Sequence, residues 1–293
     1  MDTSIRTRVV NQIFKFELTV DSSKTNDSTF TLDYESGRYR QRELVGIIRD
    51  VVPFFALTET EIASLDRSEW NKTSFTRISD AHRNSKGDYG ELMLFVILSV
   101  FYDVPKFVTK ARLRSTTREQ IKGFDCAHFS INEEEVTLWL GEAKFHKDIS
   151  GAITSAHKSL SEHLNDDERI KSELRILGGE IEINKTLAKD KYDALKSYVS
   201  GGKSLDKVNI AVPVLITYDS DCINSFCGSR DADIESCDLK SKLKLELEKQ
   251  FATIYRKQWP ISHNIKIVFF IFPFESVSEL KDMIDKVEEA MKF

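Results

Sequence analysis

The chain opens on an alternation. Val10, Gln12, Phe14, Phe16, Leu18 and Val20 fall on one side of an extended segment, with Asn11, Lys15, Glu17 and Thr19 on the other. A period of two predicts a strand. A polar stretch from Asp21 to Ser28 follows, and Phe30, Leu32 and Tyr34 then alternate again, so the pair reads as a hairpin with a long turn. Leu44, Ile47, Ile48, Val51 and Val52 repeat with helical spacing up to Pro53, where a helix is expected to stop. Residues 68–85 are polar and weakly periodic, and read as a boundary.

Beyond that boundary the pattern sharpens. Ser85-Lys86-Gly87-Asp88 has the form of a capping box, with Asp in place of Glu or Gln, and opens an apolar helix over 88–101. Strands are predicted over 104–114, 123–131 and 136–145, with Glu133-Glu134-Glu135 marking the last turn. Ser150 is expected to cap a long helix whose stripe is Ile153, His157, Leu160 and Leu164; more helix runs to Gly178-Gly179, and another helix spans 185–199. The near-continuous apolar run 208–218 predicts a buried central strand. A helix over 239–255, a strand over 265–272 and a helix over 277–291 complete the order. This succession describes an α/β fold with a mixed central sheet between helical layers, preceded by an N-terminal α+β extension. The expected division is a hairpin-plus-helix region over 1–75, suited to docking a partner, and a larger domain over 76–293.

Composition narrows the class. The 293 residues are 41% hydrophobic and 30% charged, with only 12 Gly and 5 Pro, which excludes long linkers and collagen-like chains. No run approaches the roughly 18 uninterrupted apolar residues of a membrane span. The four cysteines and the absence of signal-peptide architecture at the start point to a reduced, cytoplasmic protein. Cys222 and Cys227 have a spacing seen in metal sites, but with no second close pair and no nearby His they read as free thiols. The net charge of -5 argues against a protein that holds nucleic acid by bulk charge alone.

Candidate chemistry gathers at the end of the strand over 136–145. Val136, Leu138, Leu140, Glu142 and Lys144 share one face, so an apolar strand finishes on a carboxylate and an ammonium. Asp125 sits among Phe124, Cys126, Ala127 and Phe129 on the preceding strand, where a carboxylate is costly unless paired, hydrogen-bonded or metal-bound. Glu91 shares the stripe of Leu94, Phe95 and Leu98 and is expected to face the sheet. Asp125, Glu142 and the Ala143 carbonyl are the oxygen donors that a hard cation such as Mg²⁺ prefers, with Glu91 reaching it through water or holding a second ion. Lys144 would orient a hydroxide or steady charge on a phosphate. A structural ion pair between Glu142 and Lys144 at a sheet edge, with Asp125 capping a turn, is the alternative. Acid-x-Lys also occurs at Asp238-Lys240 and Glu279-Lys281, within amphipathic helices where it reads as a solvated face.

Glu91, Asp125 and Glu142-Ala143-Lys144, in this helix-strand-strand-strand-helix order, resemble the core of the PD-(D/E)xK nuclease superfamily, with its restriction-endonuclease-like fold. Phe124 stands where the superfamily's name has a proline, a position it keeps loosely. Lys86-Gly-Asp-Tyr-Gly-Glu91, Gly123-Phe-Asp-Cys-Ala-His128 and Trp139-Leu-Gly-Glu-Ala-Lys-Phe145 resemble the HamA family of the Hachiman anti-phage defence system, most specifically over residues 80–165. The resemblance implies a nuclease domain over 76–293. It further implies Mg²⁺-dependent DNA cleavage, with Mn²⁺ as substitute, and a HamB-like helicase partner that keeps the nuclease idle until infection or DNA damage.

Other residues are weighed beside this core. His157 and Lys158, on the following helix, are auxiliary candidates near a scissile phosphate; a hydrogen-bonded core histidine and a solvated lysine are the alternatives. His128 and His146 flank the site in sequence. Between Asp103 and Asp125, six basic residues (Lys106, Lys110, Arg112, Arg114, Arg118 and Lys122) face three acids; Lys110, Arg112, Arg114 and Lys122 are the DNA-contact candidates, since backbone phosphates respond to charge. Two other functions compete: a non-catalytic DNA- or partner-binding module on the same fold, and a restriction or repair nuclease acting without a helicase.

Overall fold

The computed structural model describes residues 1–16, 27–81, 88–104, 106–109, 124–132, 135–164, 209–260 and 264–292. Among them, a seven-stranded mixed sheet runs in the order β1-β2-β9-β8-β7-β6-β5. Its strands are β1 (Phe14–Phe16), β2 (Ser28–Thr31), β5 (Lys106–Thr109), β6 (Cys126–Asn132), β7 (Glu135–Phe145), β8 (Asn209–Asp219) and β9 (Ile265–Phe274). β3 (Tyr34–Glu35) and β4 (Arg38–Tyr39) form a separate small hairpin. β2, β9, β8 and β7 are parallel, β6 is antiparallel to β7, and β5 is antiparallel to β6. β8 is buried along nearly its whole length, as expected of a parallel strand covered on both faces. Helix α5 (Asp88–Phe101) lies against the face of β7 that carries Gly141, Ala143 and Phe145. Helix α6 (Ile149–Leu164) reaches the opposite face, which carries Glu142. The two helices therefore sandwich the strand that bears the acid and the lysine.

The N-terminal segment departs from the expected strand. Residues Thr3–Gln12 form helix α1, capped by Asp2, whose Oδ1 accepts from the Ile5 amide at 3.0 Å. Ile5, Val9 and Ile13 recur every fourth residue and turn inward, while Val10, placed inside by the alternating pattern, is 51% exposed. Among the described residues of that segment Phe14–Phe16 is extended and pairs antiparallel with β2, and the rest of the expected strand, 17–20, lies outside them. β2 hydrogen-bonds to β9, and Phe30 packs against Phe101, Phe270 and Phe272, which joins this segment to the main sheet.

Helix α2 (Gln41–Ala56) runs past Pro53 instead of stopping there. Burial of Phe55 and Ala56 holds its last turn, and the Lys106 ammonium donates to the carbonyls of Phe54 at 2.7 Å and Leu57 at 2.6 Å. That contact satisfies the negative end of the helix. Helix α3 (Glu59–Ser64) precedes the polar segment 68–85 expected to be a boundary; its residues up to Ala81 belong instead to helix α4 (Arg67–Ala81), while 82–85 lie outside the described residues. The apolar content of α4 is sparse but well placed, since Phe75, Ile78 and the hydroxyl-bearing Ser74 are all buried.

The C-terminal elements follow the sequence pattern closely: α7 (Asp221–Phe226), unexpected because of its brevity, then α8 (Cys237–Tyr255) and α9 (Val277–Met291). The strand ends are lashed together, with Asp219 N donating to Lys147 O, Ser220 N to Phe274 O, and Val277 N to Asp219 Oδ1. Residues 85–87 of the expected capping box, the helices over 165–199 and the whole 110–123 segment lie outside the described residues. No helix among those described is long and apolar enough to cross a membrane.

Thr58 and Glu61 form a capping box at α3, and Arg77 holds Glu61 through two contacts at 2.6 and 3.0 Å. The Arg77 guanidinium lowers the Glu61 carboxyl from 4.5 to about 2, with burial opposing it. A depressed acid stabilises the fold above its ordinary value and loses that contribution as pH falls. Glu61→Gln is expected to cost about 1 kcal/mol or less near neutral pH, after solvent screening. It should also flatten the loss of stability between pH 4.5 and 2, measured by urea unfolding across that range.

Candidate active site

β7 carries the chemistry because of what surrounds its last turn. Cys126 pairs with Gly141 across the antiparallel ladder, and Asp125 N donates to Gly141 O at 2.9 Å. β6 begins at Cys126, so the next amide of β7 lacks a ladder carbonyl. Asp125 Oδ2 takes that place, accepting from Ala143 N at 2.9 Å. A strand residue sends its N–H and C=O to the same side, so the Ala143 carbonyl emerges on the Asp125 edge as well. On the other flank the β7–β8 pairing lapses where Gly141 comes abreast of Pro213, a residue with no amide hydrogen to offer.

Glu142, Glu91 and Asp125 are 2%, 3% and 9% exposed. Glu142 Oε1 accepts from the Lys144 ammonium and from Ser159 Oγ, the latter at 2.8 Å. Its second oxygen, Oε2, is buried without a hydrogen-bond partner among the described residues. Burial pushes the Glu142 carboxyl up to about 7, the Asp125 charge adds to that, and Lys144 and Ser159 oppose it. Glu91 comes from α5, on the far side of the sheet from Ser159. Burial and then the charges of Asp125, Glu91 and Glu142 push the Cys126 thiol well up, so the fields of all three carboxylates meet at one neutral side chain.

Two glycines set the approach of α5. A Cβ on Gly90 would lie 3.2 Å from the Cβ atoms of Ala143 and Phe145. A Cβ on Gly141 would lie 2.5 Å from Cys126 Sγ and 2.7 Å from Leu94 Cδ2.

The remaining candidates are placed elsewhere. His157, half-buried, contacts the Gln258 carbonyl at 2.8 Å and the Trp259 ring, and Lys158 is exposed. Ser159, not His157, is the α6 side chain that reaches Glu142. Asp148 caps α6 in place of Ser150, with Oδ2 accepting from Gly151 N at 2.6 Å. His128 is buried beside Phe95 with Nδ1 3.3 Å from Val104 O. His146 is exposed, and partial burial together with Lys281 and Lys144 lowers its pKa. Lys281 is no solvated face: its ammonium donates to Phe145 O at 2.9 Å and lies over the Phe145 ring. Lys106 is engaged at the end of α2. Lys110, Arg112, Arg114, Arg118 and Lys122 lie outside the described residues. Cys222 and Cys227 are free thiols.

Among the described residues no three His, Cys, Asp or Glu side chains form a ready-made cation cage. The donor set nonetheless suits a hard ion in kind: carboxylates of low exposure, a strand carbonyl, and the orphaned Glu142 Oε2.

A mixed α/β protein with a buried acid and a lysine at the end of a central strand, flanked by carboxylates from the antiparallel neighbour and the preceding helix, is thus defined. The chain belongs to the HamA family, whose family model matches residues 8–287. Membership implies a component of the Hachiman defence system. No curated protein matches the chain.

Gly141→Ala would drive a methyl group into Cys126 and Leu94. The expected cost is about 1–3 kcal/mol, read as a lower midpoint in thermal or urea unfolding.

Proposed function

We propose that the protein is the metal-dependent DNA nuclease of a Hachiman anti-phage defence complex, activated through a HamB-like helicase. The observation that carries the reading is the pairing of Glu142 with Lys144 at the end of β7, beside an Asp125 already bound to the Ala143 amide. Asp125, Glu142 and the Ala143 carbonyl would hold Mg²⁺, or Mn²⁺ in its place, with Glu91 behind them. A bound divalent ion supplies an acidified water and neutralises charge on the phosphate.

The chain's own residues do the rest. The apolar lining from Leu138, Leu140 and the α5 stripe lowers the local dielectric, which strengthens each charge interaction at the strand end. Lys144 brings a cation to the oxygens of a phosphodiester as a water oxygen bonds to phosphorus and the P–O ester bond breaks. Ser159 keeps hold of Glu142 while Lys144 is so engaged.

The overall charge of -5 supports delivery of DNA by a partner. Free DNA gains little from a net-acidic surface, whereas a helicase subunit brings strands to the site without needing a basic surface here.

With the helicase subunit, Mg²⁺ and a linear DNA duplex, wild-type protein is expected to cut. Glu142→Ala and Lys144→Ala are each expected to reduce cutting by on the order of a hundredfold or more, with melting temperatures showing that both variants fold. Full activity in both would sink the reading.

A further inference from the structure

Helix α6 presents two stripes. Ile149, Ile153, Leu160 and Leu164 are its large apolar residues, while Ala152, Ala156, Ser159 and His163 recur at helical spacing beside them. Ala152, Ala156 and Ser159 are the small residues of that line, and Ser159 is the one whose hydroxyl reaches Glu142. Its hydroxyl donates to Glu142 Oε1 at 2.8 Å, and the Lys144 ammonium bonds the same oxygen. The other oxygen, Oε2, is buried with no hydrogen-bond partner among the described residues.

We propose that Ser159 is a positioning residue that locks Glu142 with Oε2 presented to a divalent cation. The inference rests on the metal-dependent reading above and extends it to a residue on the opposite face of β7 from α5. The last torsion of a glutamate is broad, so packing alone leaves the two carboxylate oxygens interchangeable. Two donors on Oε1 remove that freedom and assign the oxygens different tasks. Lys144, on a flexible four-carbon stem, is free to swing its ammonium toward a phosphate and so holds Glu142 less firmly. Ser159, fixed on the helix, holds Oε1 throughout. It touches neither cation nor substrate and acts only through Glu142.

The test is calorimetric titration of the full chain with Mn²⁺ alone, for wild type, Ser159→Ala and Ser159→Thr. Loss of the hydroxyl is expected to weaken Mn²⁺ binding about ten- to a hundredfold, with the thermal midpoint close to wild type. Threonine keeps the hydroxyl and should restore affinity to within a few-fold. In cutting assays with the helicase subunit, Ser159→Ala should need more Mn²⁺ for half-maximal rate yet approach the wild-type rate at saturation. Equal Mn²⁺ affinity in wild type and Ser159→Ala overturns the proposal, and so does a Ser159→Thr protein as weak as Ser159→Ala. If wild type itself binds no Mn²⁺, the metal-dependent reading of the site fails and the role of Ser159 falls with it. Should Ser159→Ala melt early, Ser159→Cys, close in size but a weak donor, takes its place: intermediate affinity supports the role, and wild-type affinity overturns it.

Discussion

Glu142 is a carboxylate placed where water barely reaches, at the end of a strand whose earlier residues on that face are Leu138 and Leu140. Burying an acid there costs free energy unless nearby groups compensate it. Much of the surrounding architecture supplies that compensation. Lys144 comes from the same strand face two residues on, and Ser159 from the helix that covers it. Asp125, which adds to the electrostatic strain, is tethered to the Ala143 amide where β6 begins. The compensation stops short of complete, since one oxygen of Glu142 has no hydrogen-bond partner among the described residues. Buried carboxylates perturbed in this way are concentrated at functional sites.

The same strand end explains how family and charge fit together. HamA membership covers nearly the whole chain, residues 8–287, and so takes in the N-terminal segment that completes the sheet as well as the acid-lysine cluster. Two basic residues near the cluster have structural attachments: Lys106 closes α2, and Lys281 reaches the Phe145 carbonyl. Lys281 also lifts the local potential felt by His146. Among the described residues, the cations at this end of the sheet include Lys144, which pairs with Glu142, and Lys281, which holds the Phe145 carbonyl.

Much of this was legible in the sequence, for a physical reason. Glu91, Asp125, Glu142 and Lys144 stand out because each interrupts an apolar pattern, and polarity contrast is what periodicity detects. The long buried strands β8 and β9 and the helix α9 were equally plain. Ser159 was hidden because a serine on a helix of mixed character makes no contrast, and the eye follows the larger stripe that includes His157. α1 was misread because Ile5, Val9 and Ile13 fit a helix while Val10 to Phe16 fits a strand, and the Asp2 cap decides between them. Pro53 misled because the burial of Phe55 and Ala56 outweighs the single backbone bond that a proline removes.

The last helix has a bearing on how the protein is made. Tyr89, two residues before Glu91, has its hydroxyl 2.7 Å from both Asp285 Oδ1 and Glu288 Oε2 on α9, and Lys281 of the same helix holds the end of β7. α9 therefore grips both sides of the cluster. Synthesis runs from the N-terminus, so β7 leaves the ribosome before β8 and β9 exist to complete the sheet, and before α9 exists to clasp it. Throughout that interval the strand bearing Glu142 and Lys144 is an unfinished edge. The order of elements along the chain thus places the clasp on the cluster after every strand of the sheet has been made.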